Sequence, residues 1–586
     1  MRREHEVSNG RSSREKMYKA KLLVEPELKI LQDHLLANCL CTLPRNVSPT
    51  LLLCCFSAAR RSDAASMWSV DQILTQITCL QLICEKTIKQ SADPFRCRML
   101  TDLRNDITRR QNDVIEYLLA LADDSDRYIR FAAARALAIF FLILRTRLDR
   151  AWIDKLVENL QTRLQPHRVL FSLDVLRCIV EWKDFEEHIL EDCFPQDEMP
   201  PASCNVLSMH AERVDSSEMK CLCVEALAPK WTRIVNQFTT LIRDQSTSAI
   251  AYRSCVICFL SLWESIISVK ANLSISDTKP FYCALDSSVS LLSNSVPSLV
   301  WKHILNLFNE VLCYGNTLAL QHDLAGEPCS LAHVILRHVK DRRLLRTIPH
   351  ITGNGGFGGG VSNEGDKFLL KKVVLMILKA VAVTIKEAKY DSSSDSSIGS
   401  EQEDDDDHEM DMICRSIFDV LKKLDTFVKE NEDFHPSTRL ASWIVHLFID
   451  QDDFLIESMV CCVDVARVLC YRNNNFLPEL RKDLNPSETF LTFLNATSFN
   501  VDLLVDYLKS NETCFLLYVL NFLKYLRDQW GEFIETCKYE LPAVGKLFSD
   551  LRTTIQREVE VNHITYNISP VLSLLIVCEQ RIRTPE

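Results

Sequence analysis

Glycine is scarce in this sequence of 586 residues. Only 13 glycines are present, and six of them lie between Gly353 and Gly360. Tight β-turns depend on glycine, because it adopts positive φ angles without steric cost. Few hairpin turns can therefore form outside that stretch, whereas apolar residues recur along most of the chain at helical spacing. We predict an all-α fold.

Motifs that mark catalytic centres are also missing. The sequence contains no Gly-x-Ser-x-Gly nucleophile turn, no His-Glu-x-x-His metal motif and no phosphate-binding loop ending in Gly-Lys-Ser/Thr. The glycine-rich stretch lacks that ending and follows no predicted strand, so it favours a flexible linker. We predict a protein that is not an enzyme and needs no cofactor; a divergent enzyme stays open as one of three hypotheses.

Long apolar runs are lacking as well. The longest, residues 136–144, lies between two arginines and falls short of the roughly 18–20 residues that span a bilayer. The first residues are polar and basic, unlike the apolar core of a secretory signal. The 24 cysteines are therefore expected to be reduced thiols, many of them on apolar helix faces. The expected location is the cytoplasm and nucleus, without membrane association.

One cysteine pair has the spacing of a metal motif. Cys255 and Cys258 form the only Cys-x-x-Cys of the chain. The pair falls in the middle of a predicted helix, and neither a second pair nor a histidine flanks it, so a zinc ion would lack two of its four ligands. We interpret the pair as core packing and assign no metal ligands.

Negative charge is concentrated in one segment. The net charge is −12, and residues 391–411 hold ten acidic residues and no lysine or arginine, which leaves −2 for the rest of the chain. A nearly neutral remainder gives no general attraction to nucleic acid. The segment is too polar to form a core and is predicted to be a disordered linker. Ser394, Ser397 and Ser400 precede acidic residues and are candidate phosphorylation sites; a solvating spacer is the alternative.

The predicted organisation has two helical halves joined by linkers. Its parts are a disordered basic tail (1–21), an N-terminal helical domain (22–347), a Gly-rich linker (348–366), a helix (367–390), the acidic linker (391–411) and a C-terminal helical domain (412–583). Helical pairs recur at intervals of roughly 35–45 residues, which is typical of units that bury their faces by stacking. We predict an α-solenoid-like stack of helical hairpins, similar to degenerate HEAT or armadillo repeats.

The segment 112–145 is the main example of such a hairpin. Ile129, Ala133 and Leu137 form one apolar face of its second helix. Asp124 or Ser125 is the expected N-cap of that helix. The pattern resembles the inner helix of a HEAT or armadillo repeat, although an ordinary core helix shows the same pattern. Caps of further helices are expected at Ser69, Asn485, Asn500 and Ser510.

Three C-terminal stretches resemble the Lines homolog family. They are residues 443–457, 501–516 and 566–572, and the resemblance covers roughly 436–583; the segment 112–145 is less specifically similar to the N-terminal Lines region. The resemblance implies a regulator of developmental patterning that is linked to Wingless/Wnt-type signalling and able to work in the nucleus. It also implies partners: odd-skipped-type zinc-finger transcription regulators or Wnt-pathway components.

Two groups within these stretches are candidate partner-binding residues. Asp452, Asp453 and Glu457 form an acidic group that either stabilises a helix start or is recognised by a basic partner. Asn511 and Glu512 belong to the most distinctive stretch, Ser-Asn-Glu-Thr-Cys-Phe-Leu at 510–516. The leading hypothesis is a protein-interaction scaffold, and a nuclear-transport or chromatin-associated HEAT-type scaffold is the alternative.

Overall fold

The computed structural model describes most of the chain between residues 26 and 583. The gaps are 38, 45–46, 49–51, 53–55, 57–67, 93, 162–164, 185–203, 209–214, 245–249, 269–270, 272, 319–325, 342, 350–366, 395–402, 472–477 and 511–512. The chain divides into two compact units, Met1–Phe281 and Tyr282–Glu586. Apart from turns and one short strand pair, the described residues are helical, which confirms the all-α prediction.

The first unit contains eleven helices within its described ranges. They are residues 26–36 (α1), Val70–Ser91 (α2), Arg98–Arg109 (α3), Gln111–Ala120 (α4), Arg127–Leu144 (α5), Arg150–Asn159 (α6), Pro166–Val180 (α7), Ser217–Leu227 (α8), Trp231–Arg243 (α9), Ile250–Ile267 (α10) and Ile275–Thr278 (α11). The strands Phe95–Cys97 (β1) and Val206–Ser208 (β2) pair antiparallel, with Cys97 opposite Val206. A short 3-10 turn, Leu40–Thr42, precedes α2.

Four helices of the first unit pack in succession: α2 against α5, α5 against α7, and α7 against α10. Helix α5 is buried on most of its surface, from Ile129 to Leu144. Ala133, Ala134 and Ala136 are all fully buried, and their small side chains allow the neighbouring helices to approach closely. The apolar face predicted for α5 is therefore confirmed as core.

The N-cap expected for α5 was assigned to the wrong residue. Asp126 caps the helix, because its carboxylate accepts hydrogen bonds from the backbone N–H groups of Tyr128 (2.7 Å) and Ile129 (3.4 Å). Asp124 instead accepts a hydrogen bond from the N–H of Asp126 (2.8 Å) and thereby fixes the turn before the helix. Four consecutive residues able to cap, Asp-Asp-Ser-Asp at 123–126, made the choice ambiguous from sequence.

Helix α10 meets the length and composition of a membrane-spanning helix. Its 18 residues have a mean hydropathy of 1.5, which corrects the expectation that no stretch would approach this criterion. Half of the stretch is buried inside the first unit. Phe259 stacks on Phe238 with ring centroids 4.1 Å apart, and the Trp263 indole donates a hydrogen bond to the Phe281 carbonyl (2.7 Å). These contacts are those of a core helix.

The second unit contains fifteen helices within its described ranges. They are Leu285–Ser288 (α12), Ser298–Leu318 (α13), Gly326–Lys340 (α14), Arg343–Arg346 (α15), Lys367–Ser394 (α16), Glu403–Asn431 (α17), Leu440–Phe448 (α18), Asp452–Tyr471 (α19), Pro478–Asp483 (α20), Pro486–Ala496 (α21), Val501–Lys509 (α22), Phe515–Asp528 (α23), Trp530–Thr536 (α24), Leu541–Glu560 (α25) and Ser569–Arg583 (α26).

Helix α16 lies at the centre of this unit. It packs against α13, α14 and α19, and the succession continues as α19 packs against α23 and α23 against α26. Every residue from Leu369 to Ile385 except Lys372 is buried. Because α13 and α14 pack on α16, they belong to the same unit as the C-terminal helices. The two units thus divide at Phe281, and the predicted linkers at 348–366 and 391–411 both fall within the bounds of the second unit.

Helix α17 begins inside the segment that was predicted to be a disordered linker. Its first residues are acidic, which suits the positive end of a helix dipole. Met410, Cys414, Ile417 and Leu421 follow at helical spacing and are all buried. These buried apolar residues stabilise the helix, which the acidic composition of the segment alone did not indicate.

Of the four other predicted caps, three are confirmed and one is wrong. Ser69 and Gln72 form a capping box at α2, and Asn485 and Asn500 cap α21 and α22 through their side chains. Ser510 instead lies at the C-terminal end of α22, and α23 begins five residues later at Phe515.

Candidate interaction surface and cysteine cluster

The turn between α18 and α19 exposes part of the stretch 443–457, much of which is buried. Trp443, Ile444, Val445 and Phe448 are core residues, and the Trp443 indole donates a hydrogen bond to Asp425 (2.8 Å). The chain then turns through Ile449 to Gln451 and enters α19. The turn and the beginning of α19, together with His446 on α18, are therefore the exposed part of this stretch.

Asp452 and Asp453 lie at this accessible position. Both are exposed in the first turn of α19, where carboxylates interact favourably with the helix dipole. Asp452 also accepts a hydrogen bond from Tyr507 of α22; burial, and then this carboxylate, raise the pKa of the Tyr507 hydroxyl. The position is compatible with both predicted roles, helix stabilisation and recognition by a basic partner.

Apolar side chains lie beside these carboxylates. Phe368 and Ile449 are 39% and 40% exposed. Phe368 stacks on Phe454 with ring centroids 5.9 Å apart, and the ammonium group of Lys372 lies 4.7 Å from the Phe368 centroid. We call Phe368, Ile449, Asp450, Asp452 and Asp453 the acidic turn surface.

Glu457 lies one helical turn further and has a different environment. Its carboxylate forms a 2.8 Å ion pair with Lys379 of α16, whose side chain is only 4% exposed. The Lys379 ammonium also donates a hydrogen bond to the carbonyl of Asn309 (3.3 Å). Glu457 thus neutralises a buried charge between two helices.

This pair is the middle one of three, which we call the lysine ladder. Lys371 pairs with Asp450, Lys379 with Glu457, and Lys386 with Asp464 at 2.5 Å. The lysines, eight and seven residues apart, lie along one side of α16; Glu457 and Asp464, seven residues apart, lie along one face of α19, and Asp450 lies in the turn before it. Because the residue numbers increase together on both sides, α16 runs parallel to α19 and its preceding turn.

The remaining candidate residues are not placed by the structure. Asn511, Glu512, Ser397 and Ser400 lie outside the described residues, and Ser394 is described only as the last residue of α16. Their proposed roles in partner binding and phosphorylation therefore stay predictions.

A cluster of four cysteines in the first unit was missed by the sequence analysis, which assigned no metal ligands. The Sγ atoms of Cys39, Cys41, Cys97 and Cys204 all lie within 4.8 Å of one another. The Sγ of Cys41 is 3.7 Å from that of Cys97 and 3.9 Å from that of Cys204. Four thiols this close form a ligand set for a soft divalent cation.

Three separate elements position these thiols. Cys39 is the N-cap of the 3-10 turn that contains Cys41, Cys97 ends β1, and Cys204 lies two residues before β2. The contacts from Cys41 join residues 56 and 163 positions apart in sequence. The Cys39-x-Cys41 spacing was the only local hint, and it could not indicate the two distant partners.

The local environment affects these thiols differently. Burial raises the pKa of the Cys97 thiol and that of the Cys204 thiol. Burial also opposes ionisation of Cys41, but hydrogen bonds from the Asn205 N–H and from the other thiols outweigh it, and the pKa of Cys41 lies below its ordinary value. The thiol of Cys41 thus ionises more readily than those of Cys97 and Cys204.

Comparison with known proteins identifies relatives over most of the chain. Residues 205–537 match a family model described as Lines N-terminus, which includes the lysine ladder and the acidic turn surface. Protein lines of Drosophila melanogaster is 36% identical over 641 aligned positions, covering 87% of this chain and 74% of the relative. Protein Lines homolog 1 is 24% identical in Homo sapiens and 21% in Mus musculus, and this chain spans 64% and 60% of their lengths.

Proposed function

This chain belongs to the Lines family, and on that premise we propose that it is a non-enzymatic regulator that acts by binding other proteins. Its partners are odd-skipped-type zinc-finger transcription regulators or components of Wingless/Wnt-type signalling, and it takes part in developmental patterning. It works in the cytoplasm and nucleus. These roles rest on the resemblance to the family.

We also propose that each unit is built as an α-solenoid-like stack of helical hairpins. The support comes from the order of packing: α2, α5, α7 and α10 contact one another in succession, and so do α13, α16, α19, α23 and α26. Equivalent helices of consecutive hairpins run parallel in such stacks. The parallel direction of α16 and the α19 region, fixed by the lysine ladder, agrees with this arrangement.

The observation that carries the binding role is the acidic turn surface. It combines two half-exposed apolar side chains, Phe368 and Ile449, with the carboxylates of Asp452 and Asp453 and with Asp450, which already pairs with Lys371. Apolar contacts supply affinity, while carboxylates select and orient a positively charged partner. The surface therefore suits a basic segment with an apolar side, and Asp452 and Asp453 are its selecting residues.

Neutralising the two aspartates tests this role. Affinity capture with the full chain from cells identifies partners by mass spectrometry, and the affinity of the purified partner is then measured for D452N/D453N. Asparagine retains a side-chain oxygen that can accept the hydrogen bond from Tyr507, so the fold should persist. We expect at least about a tenfold loss of affinity and a smaller salt dependence of binding.

A matched control removes the same charge elsewhere. Asp550 and Glu560 are exposed on α25 of the same unit, and D550N/E560Q changes the net charge equally. This control should bind as the unmodified chain does. Equal losses for both variants, an unchanged affinity for D452N/D453N, or capture of no specific partner would contradict the proposal.

We propose that phosphorylation of Ser394, Ser397 and Ser400 adds negative charge to this region of the chain. Acidic residues follow these serines in sequence, as acid-directed kinases require. Mass spectrometry of the protein isolated from cells should detect the modified serines, and unmodified peptides at high coverage would refute this.

A further inference from the structure

The cysteine cluster has the composition and geometry of a metal site. We propose that Cys39, Cys41, Cys97 and Cys204 bind one Zn²⁺ ion and that this ion ties together three distant segments of the first unit. The inference does not depend on the proposed partner binding, since the cluster lies in the first unit and the acidic turn surface in the second.

The distances between the sulfur atoms agree with a single tetrahedral ion. Zinc–thiolate bonds are about 2.3 Å long, which places the sulfurs of a tetrahedral site about 3.8 Å apart. The separations from Cys41 to Cys97 and to Cys204 are 3.7 and 3.9 Å, and all four atoms lie within 4.8 Å. Side-chain adjustments of about 1 Å or less would complete the site.

A disulfide and an iron–sulfur cluster both agree less well with these sulfur–sulfur distances. A disulfide requires sulfurs about 2.05 Å apart, and all four cysteines are free thiols. An iron–sulfur cluster places several iron and sulfide atoms between its cysteines, so their sulfurs are further apart than around one ion. Isolated buried thiols, such as Cys84, need no partners, but here four thiols from three segments converge on one point.

Backbone donors and a helix start beside the cluster oppose the effect of burial on thiolate formation. The backbone N–H of Asn205 donates to the Sγ of Cys41 (3.4 Å), and the N–H of Cys41 donates to the Sγ of Cys39 (3.3 Å). Cys97 is the N-cap residue of α3, where the helix dipole stabilises a negative sulfur. Such groups around a metal centre orient the ligands and tune the bound ion.

Four protein ligands leave no open position for a substrate, so the proposed site is structural. The β1–β2 ladder has only three residue pairs, and a two-stranded sheet of that size is marginally stable in water. Cys97 and Cys204 flank this ladder, and a shared ion would hold the strands in register. The protonated thiols release their protons to solvent on binding, so zinc affinity should rise with pH.

Metal analysis of the purified full chain tests the proposal. We expect one zinc per chain by plasma mass spectrometry in the unmodified protein, and less than about a tenth of that in C41S/C204S. Cobalt added to the apo protein should produce the thiolate charge-transfer and visible bands of a tetrahedral site. C41H should retain the metal, because histidine is also a zinc ligand; this separates loss of a ligand from misfolding.

The only Cys-x-x-Cys pair provides the control. Cys255 and Cys258 donate to Pro166 O and Asp174 Oδ1 in the same unit, and serine can donate the same bonds, so C255S/C258S should keep its zinc. The proposal is overturned by a protein without metal that gives no cobalt spectrum. Zinc retained in C41S/C204S, bound iron, or a disulfide within the cluster would also overturn it.

Discussion

The three pairs of the lysine ladder differ mainly in how far they are buried. The side chains of Asp450, Glu457 and Asp464 are 64%, 24% and 5% exposed, respectively. Water screens an exposed carboxylate, whereas a buried carboxylate attracts its lysine with less screening, so its loss costs more. We therefore expect the cost of neutralising each acid to increase in that order.

The expected losses in the free energy of unfolding follow from the same exposed fractions. D450N should lower the free energy of unfolding by about 0–1 kcal/mol, as for a surface ion pair. E457Q leaves Lys379 with the Asn309 carbonyl and should cost about 1–3 kcal/mol. D464N removes the most buried carboxylate and should approach the roughly 3–5 kcal/mol of a broken buried pair.

Removing both partners should cost less than removing one. In K379M/E457M the charges disappear together and similar volumes remain, and such replacements are often neutral or stabilising by about 1–4 kcal/mol. The double variant should therefore be more stable than E457Q. This comparison separates the value of the pair from the penalty of an unpaired charge.

Amide hydrogen exchange measured by mass spectrometry suits this test. Peptides from α16 and α19 report opening of the second unit, and peptides from α5 of the first unit serve as an internal reference. Equal losses of protection in D450N and D464N would refute the burial argument. So would a K379M/E457M variant that exchanges as fast as E457Q.

Two further predictions concern local stabilisation. The Nε of Arg168 donates a hydrogen bond to Oδ1 of Asp123 (2.5 Å) and lowers the pKa of that carboxyl. The pair therefore stabilises the fold above the unfolded pKa of about 3.9, and this stability is lost as pH falls through the lower folded pKa. D123N should lower the free energy of unfolding by about 0.5–1 kcal/mol at pH 7, and urea unfolding at decreasing pH should show this difference from the unmodified protein shrinking. N485A should cost about 1 kcal/mol in the same assay, because the Asn485 side chain accepts the N–H groups of Ser487 and Glu488.

Local features of this fold could be predicted because their causes are local. The apolar face of α5 and the caps at Asn485 and Asn500 depend on residues within a few positions of one another. Ser510 failed as a cap because the start of α23 is set elsewhere: Phe515 and the residues that follow it pack into the core. Capping propensity shows where a helix is able to begin, and packing selects among those positions.

Features that depend on distant contacts could not be predicted. The four cysteines of the cluster come from three segments, and only Cys39 and Cys41 are neighbours in sequence. Similarly, no local pattern shows that α16 would lie beside α19 and pair Lys379 with Glu457. Both arrangements are created by tertiary packing. It brings together residues whose contact is not indicated by any pattern in the sequence.

Residues 443–457, one of the stretches by which this sequence resembles the Lines family, combine two physical roles. Trp443 and Glu457 serve the interior, one as a core side chain and the other as the counter-charge of a buried lysine. Asp452 and Asp453 are exposed between them and have no comparable role in the core. A substitution at Glu457 that abolishes partner binding would report lost stability, whereas a loss in D452N/D453N at unchanged stability would report recognition. Measuring binding and hydrogen exchange on the same variants separates the stabilising role from the recognition role.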